Sequence, residues 1–118
     1  MNNLFNTTNI NFSDNKEITD ILAEGEGVRI ERIVSTGQIT ESDFWYDQTE
    51  NEFVAVLQGE AKIIIEGKPE IHLHTGDYLF IPAHCRHKVS YTSKNPACIW
   101  LAVFYSPLST NNQTNTKQ

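Results

Sequence analysis

The sequence predicts an all-β fold, a sandwich or closed barrel of short antiparallel strands. Three observations carry this. From Val28 onward, runs of β-branched and aromatic residues recur at 28–35, 43–48, 52–58, 61–66, 69–74, 78–81, 87–92 and 97–105. Between them stand STGQ, QTEN, QGE, EGKPE, HTGD, PAHC and SKNP, each with Gly, Pro, Asn or a polar cluster suited to turns. No helix-length segment separates the runs. Many short strands at near-regular spacing indicate a sandwich or barrel. Closing the sheet also removes its aggregation-prone edges.

Taken in order, the chain divides into an N-terminal arm with one short helix (1–27), a β-barrel (28–106) and a tail (107–118). The first dozen residues are rich in Asn and Thr and show little periodicity. Residues 14–24 read as the helix. Asp14 is its N-cap, and Glu17 completes a capping-box pattern. Ile18, Ile21 and Leu22 share one helical face, and Gly25 supplies the stop. The tail, beyond Leu108, has almost nothing apolar to bury and is expected to be disordered.

Composition narrows the function. The chain has 118 residues, the size of one domain, and a formal charge of −6. That charge argues against nucleic-acid partners and anionic membrane surfaces, which need clustered Lys and Arg. No stretch is apolar enough to cross a membrane as a helix. The N-terminus lacks a basic start and apolar run, so the expected location is cytoplasmic. Cys85 and Cys98 have no CxxC spacing and read as small apolar residues, with a regulatory disulfide as the alternative.

Two segments carry more specific information. Glu52 is followed by FVAVLQ and then Gly59. Gly76 is followed by DYLFI, Pro82, Ala83, His84, Cys85, Arg86 and His87. These resemble the two motifs of the cupin superfamily, over roughly residues 43–104. The first motif is a His-x-His pair, three or four residues, Glu, six residues and Gly. The second is Gly, five residues, Pro, one residue, Gly, two residues and His. His84 stands where the second motif has its internal Gly. The resemblance implies a double-stranded β-helix (jelly-roll) barrel and a metal centre of three His and one Glu. The His pair of the first motif is missing. Its two positions hold Tyr46 and Gln48 in one spacing, and Trp45 and Asp47 in the other.

The residues give their own account of the site. Alternation along 52–58 puts Glu52 on one face with Val54 and Val56. If those valines are core, Glu52 points inward, where a carboxylate needs a metal, a cation, hydrogen-bond donors or water. His87 shares a face with Val89 and Tyr91, so a barrel interior can bring Glu52 and His87 together. Asp47 or Gln48 would complete a mixed oxygen and nitrogen ligand set suited to Mn, Fe, Ni or Zn. Tyr46 is a candidate proton donor. The alternative is a metal-free pocket in which Glu52, His87 and Tyr46 bond to one another.

Other candidates have plainer roles. His72 and His74 share the face opposite Ile71 and Leu73. Such a pair can bind metal, but it reads first as exposed or at an interface. His84 caps or closes its turn, with metal ligation as the alternative, and Arg86 is a solvated loop residue or a partner for a substrate carboxylate. Phe44, Trp45, Tyr46, Trp100, Phe104 and Tyr105 are core, interface or pocket lining. The run CIWLAVFY at 98–105 is more apolar than a half-exposed strand needs, which suggests a homodimer. The expected function is a polar pocket, with or without a divalent metal, that acts on or binds an unidentified small molecule. A non-catalytic ligand-binding or structural barrel is the alternative.

Overall fold

A computed structural model describes residues 2–12 and 15–107. Its eight strands are β1 (Ile18–Gly25), β2 (Val28–Ser35), β3 (Asn51–Gln58), β4 (Ala61–Ile65), β5 (Ile71–Leu73), β6 (Tyr78–Ile81), β7 (His87–Thr92) and β8 (Cys98–Tyr105). They form a five-stranded sheet in the order β1-β2-β8-β3-β6 and a three-stranded sheet in the order β5-β4-β7. Every pairing is antiparallel. The fold is all-β, and no helix occurs among the described residues.

The alternation expected of half-buried strands sets the core. Val54 and Val56 of β3, Ile63 of β4, Leu73 of β5, Ile81 of β6 and Trp100 of β8 meet between the sheets. Cys98 joins them, and burial pushes its thiol up to about 12, helped by the charge of Glu17. It is therefore an inert apolar filler at neutral pH. Cys85 and Cys98 are both unpaired.

The expected helix over 14–24 is instead β1, which pairs with β2 from Ile18↔Val34 to Gly25↔Val28. A bulge between Ile21 and Ala23 inserts Leu22 without a partner. That extra residue breaks the two-residue period and leaves a spacing that imitates a helix. Ile21 is 55% exposed and Leu22 44%, so no helical face is buried. Long-range pairing with β2 overrides the local pattern. The Asp14 cap and the tail from residue 108 lie outside the described residues.

Two strands are also shorter than expected. The segment 43–48 makes only a single bridge, Tyr46↔His87, and 69–74 contracts to Ile71–Leu73. The stretch from Thr36 to Glu50 is instead a loop strapped along β7. Thr92 Oγ1 donates to the Gln38 carbonyl at 2.7 Å, and the Thr40 amide donates to the Val89 carbonyl at 3.0 Å. The Tyr46 amide donates to the His87 carbonyl at 2.8 Å, and the His87 amide returns a bond of 3.1 Å. This loop brings Tyr46 and Gln48 to the open end of the sandwich.

Candidate functional site

The site lies between the sheets. β3 carries Glu52 into the interior because it alternates in phase with Val54 and Val56. β7 opens with His87, just after the turn Pro82–Arg86. Glu52 is 8% exposed and His87 5%. Glu52 Oε1 and His87 Nε2 are 3.5 Å apart. Gln48 Nε2 donates to the same Glu52 oxygen at 3.3 Å. The Tyr46 ring stacks on the His87 ring, with centroids 5.6 Å apart.

The loop settles which of residues 45–48 face inward. Tyr46 and Gln48 line the interior cavity, and Asp47 does not. The exposed Asp47 carboxylate instead meets His84 Nδ1 at 2.8 Å. The His84 amide also donates to the Gln48 carbonyl at 2.7 Å. His84 thus closes its turn and clamps the loop with Asp47 outward and Gln48 inward. His84 has φ of 62°, the left-handed conformation that a glycine adopts without cost. Arg86 faces outward too, paired with Glu66 at 2.9 Å and lying over the Trp45 ring.

The protonation of the central pair follows from its geometry. The Cys85 carbonyl accepts a 2.8 Å bond from His87 Nδ1, so that nitrogen carries a proton. A neutral His87 would then aim the Nε2 lone pair at the Glu52 carboxylate. Two acceptors in contact need a proton or a cation between them. Burial alone lowers the His87 pKa, but the Glu52 hydrogen bond, the Cys85 carbonyl and the Glu52 charge together outweigh it. The net shift is upward from 6.5, which favours the protonated imidazole beside the Glu52 carboxylate.

The cavity encloses about 210 Å³. One wall is apolar, with Val54, Ile63, Ile81, Val89, Trp100 and Phe104. The other brings in Glu17, Thr19 and Glu31 from the region of β1 and β2. Trp100 Nε1 donates to Ser35 Oγ at 3.1 Å, and Ser35 Oγ donates to Glu17 at 2.9 Å. Sequence reasoning missed Glu17, Thr19 and Glu31. The signal was the i, i+2 spacing of Glu17 and Thr19, and of Glu31 and Ile33, hidden at the first pair by the helical reading. No Lys or Arg lines the cavity among the described residues.

A second group of ligating side chains lies elsewhere. Among the described residues, Glu60, His72 and His74 form the group close enough to hold a metal ion, with donor atoms within 4.8 Å of one another. It lies on the outer face, away from Glu52 and His87.

Comparison with known proteins fixes the family. The model of the cupin domain matches residues 30–104. A Ralstonia eutropha protein described as a candidate mannose-6-phosphate isomerase is 39% identical over 91% of this chain and 98% of its own, with a TM-score of 0.83. This chain belongs to the cupin family. A cupin superfamily protein of Desulfitobacterium hafniense superposes with a TM-score of 0.68 at 22% identity, covering 79% of this chain and 80% of its own. A RmlC-like cupin of Desulfovibrio desulfuricans gives 0.68 at 19% identity, covering 92% and 99%. These two share the fold. No match occurs among curated proteins.

The family's centre of three His and one Glu does not fit this interior. Two of its positions hold Tyr46 and Gln48. Burial, then the charges of Glu17 and Glu52, push the Tyr46 phenol up despite its bond with Thr40, so it stays protonated. The Gln48 amide is turned to Glu52 through its nitrogen. What remains is one carboxylate, one imidazole and a neutral amide.

Proposed function

We propose that this cupin uses its interior cavity to bind and act on a small polar molecule, with Glu52 and His87 as a proton-sharing pair and no metal between them. The observation that carries this is the 3.5 Å approach of Glu52 to a His87 whose other nitrogen is committed to Cys85. Such a pair can take a proton from a bound hydroxyl or carbonyl-adjacent carbon and return it nearby. The protonated Tyr46 hydroxyl is the proposed donor.

Glu17, Glu31 and Glu52 line the cavity and, among the described residues, no Lys or Arg does, while Arg29 pairs with Glu31 at 2.5 Å from outside the lining. This lining supports a neutral or cationic ligand. A phosphorylated sugar would need cations for its phosphate, so the Ralstonia relative's description is not carried over. Thermal-shift screening with neutral polyols, amines and sugar phosphates tests this. Stabilisation by the first two, lost in Glu52→Gln, is expected. Selective stabilisation by a sugar phosphate that Glu52→Gln abolishes would overturn it.

A metal-assisted pocket is the second reading. His87 has Nδ1 committed to a carbonyl and Nε2 turned toward Glu52 at the cavity, the arrangement usual in metal-binding histidines. Gln48, Glu52 and His87 would be its ligands, and Mn, Fe, Ni or Zn the candidate ions. Elemental analysis of tag-free protein incubated with these ions decides between the two. Stoichiometric metal lost in Glu52→Ala and His87→Ala would establish the second reading.

We also propose a homodimer. Phe53, Tyr78, Phe80 and Tyr105 form an aromatic outer face across β3, β6 and β8, and a second copy would cover it. A monomeric mass at micromolar concentration would contradict that. The two unpaired cysteines suit a reducing compartment, and we propose a cytoplasmic location with them.

A further inference from the structure

Outside the cavity, a cluster of ligating groups lies at the end of β5. Alternation places Leu73 in the core, 3% exposed, and this turns His72 and His74 together onto the outer face. Their rings lie 4.0 Å apart at an angle of 32°. Glu60, in the turn between β3 and β4, reaches His72 Nε2 with its Oε1 at 2.7 Å. Behind His74, Asp77 Oδ2 stands 3.6 Å from Nδ1.

The backbone under these side chains is fixed from several directions. The Glu60 amide donates to Ser93 Oγ at 3.0 Å, and the Ser93 amide donates to the Glu60 carbonyl at 3.0 Å. Thr75 Oγ1 donates to the Gly59 carbonyl at 2.9 Å and ties the end of β5 to the Glu60 turn. The His74 amide donates to Asp77 at 2.7 Å, and the Asp77 amide donates to the His74 carbonyl at 2.9 Å. Gly59 has φ of +80°, and a Cβ there would stand 2.3 Å from Ser93 Oγ. The turn is therefore packed as closely as a glycine allows.

We propose that Glu60, His72 and His74 form a surface site for a divalent transition metal, independent of the interior cavity. Two imidazoles and a carboxylate suit Zn, with Ni and Cu as competitors. Bonds of about 2.0–2.2 Å place tetrahedral donors about 3.4 Å apart. The three donor atoms lie within 4.8 Å of one another, so side-chain rotation alone closes the set. All three side chains have room to turn, because none is fully buried. Asp77 stands beside His74 Nδ1 at 3.6 Å and holds the His74 amide at 2.7 Å, so it supports the position of this ring as outer carboxylates do in metal sites. Lys62, the cross-strand neighbour of His72, holds its ammonium 5.6 Å from the Tyr91 ring centre, toward β7 on the far side of β4. Its charge is thus drawn away from the site. Water fills the fourth position.

The site has a practical consequence: metal in the protein reports the cavity only where it is lost in Glu52→Ala and His87→Ala and kept in the His72→Ala, His74→Ala double variant. The test is calorimetric titration of chelator-stripped, tag-free protein with Zn²⁺ alone. One equivalent is expected. His72→Ala, His74→Ala and Glu60→Gln should each weaken binding at least about tenfold, and Asp77→Asn about tenfold through its support of His74. Circular dichroism checks that each variant keeps the fold. Glu52→Gln should bind as the wild type does. Tetrahedral absorption bands of bound Co²⁺, lost in the His72→Ala, His74→Ala double variant, would confirm the ligands. The proposal is overturned if no Zn²⁺ binds, if binding survives the double variant, or if Glu52→Gln removes it.

Discussion

Among the described residues there are two Glu–His contacts, one inside and one outside, and they differ in an instructive way. Glu60 and His72 are closer, at 2.7 Å, than Glu52 and His87, at 3.5 Å. Yet the inner contact dominates the electrostatics. Both of its side chains are nearly dry, and the pKa of His87 is displaced upward. Water screens the outer contact, so its short distance carries little energy and its side chains stay free to turn. Distance alone does not rank such contacts. Burial strengthens the charge interaction of the inner pair, and exposure leaves the outer group open to a new ligand.

The largest effect should come from breaking the inner pair. Glu52→Ala leaves the buried His87 Nε2 without its hydrogen-bond partner and should cost about 3 kcal/mol in urea denaturation. Gly59→Ala should cost about 2 kcal/mol, since it forces a left-handed residue against Ser93. It should also weaken Zn²⁺ binding by displacing Glu60. His84→Val, at φ of 62°, should cost roughly 1–2 kcal/mol and loosen the loop that carries Gln48. Glu60→Gln should cost less than about 0.5 kcal/mol, the signature of a screened pair. Equal losses in Glu52→Ala and Glu60→Gln would erase the distinction between the two contacts.

Much of the fold was legible because its signals are local. Seven of the eight strands follow from alternation and turn chemistry, as at β3, where Val54 and Val56 fix the inward face of Glu52. β1 was not legible, because the bulge at Leu22 disrupts the period that marks a strand. Its misreading also concealed Glu17 and Thr19 as cavity residues. At 43–48 the aromatic run resembled a strand, but its backbone serves as a strap on β7. Glu52 and His87 were visible in the motif spacing. The choice between Asp47 and Gln48 was not, since it depends on the His84 clamp across the loop. His72 and His74 could be seen to share a face, whereas Glu60 reaches them only through the β3–β4 turn.

The upward shift of His87 also sets a pH dependence. A folded-state pKa above 6.5 means that the native state holds this proton more tightly than the unfolded chain does. The stabilisation is complete below 6.5 and is lost as pH rises through the folded-state value. The urea midpoint should therefore fall over that interval in the wild type and fall less in Glu52→Gln.

The proposed sharing of a proton by Glu52 and His87 is tested directly by NMR titration of the His87 ring in metal-free protein. Its pKa should lie above 6.5 in the wild type and drop in Glu52→Gln. A His87 that titrates at or below 6.5, with the same value in Glu52→Gln, would contradict the proton-sharing pair.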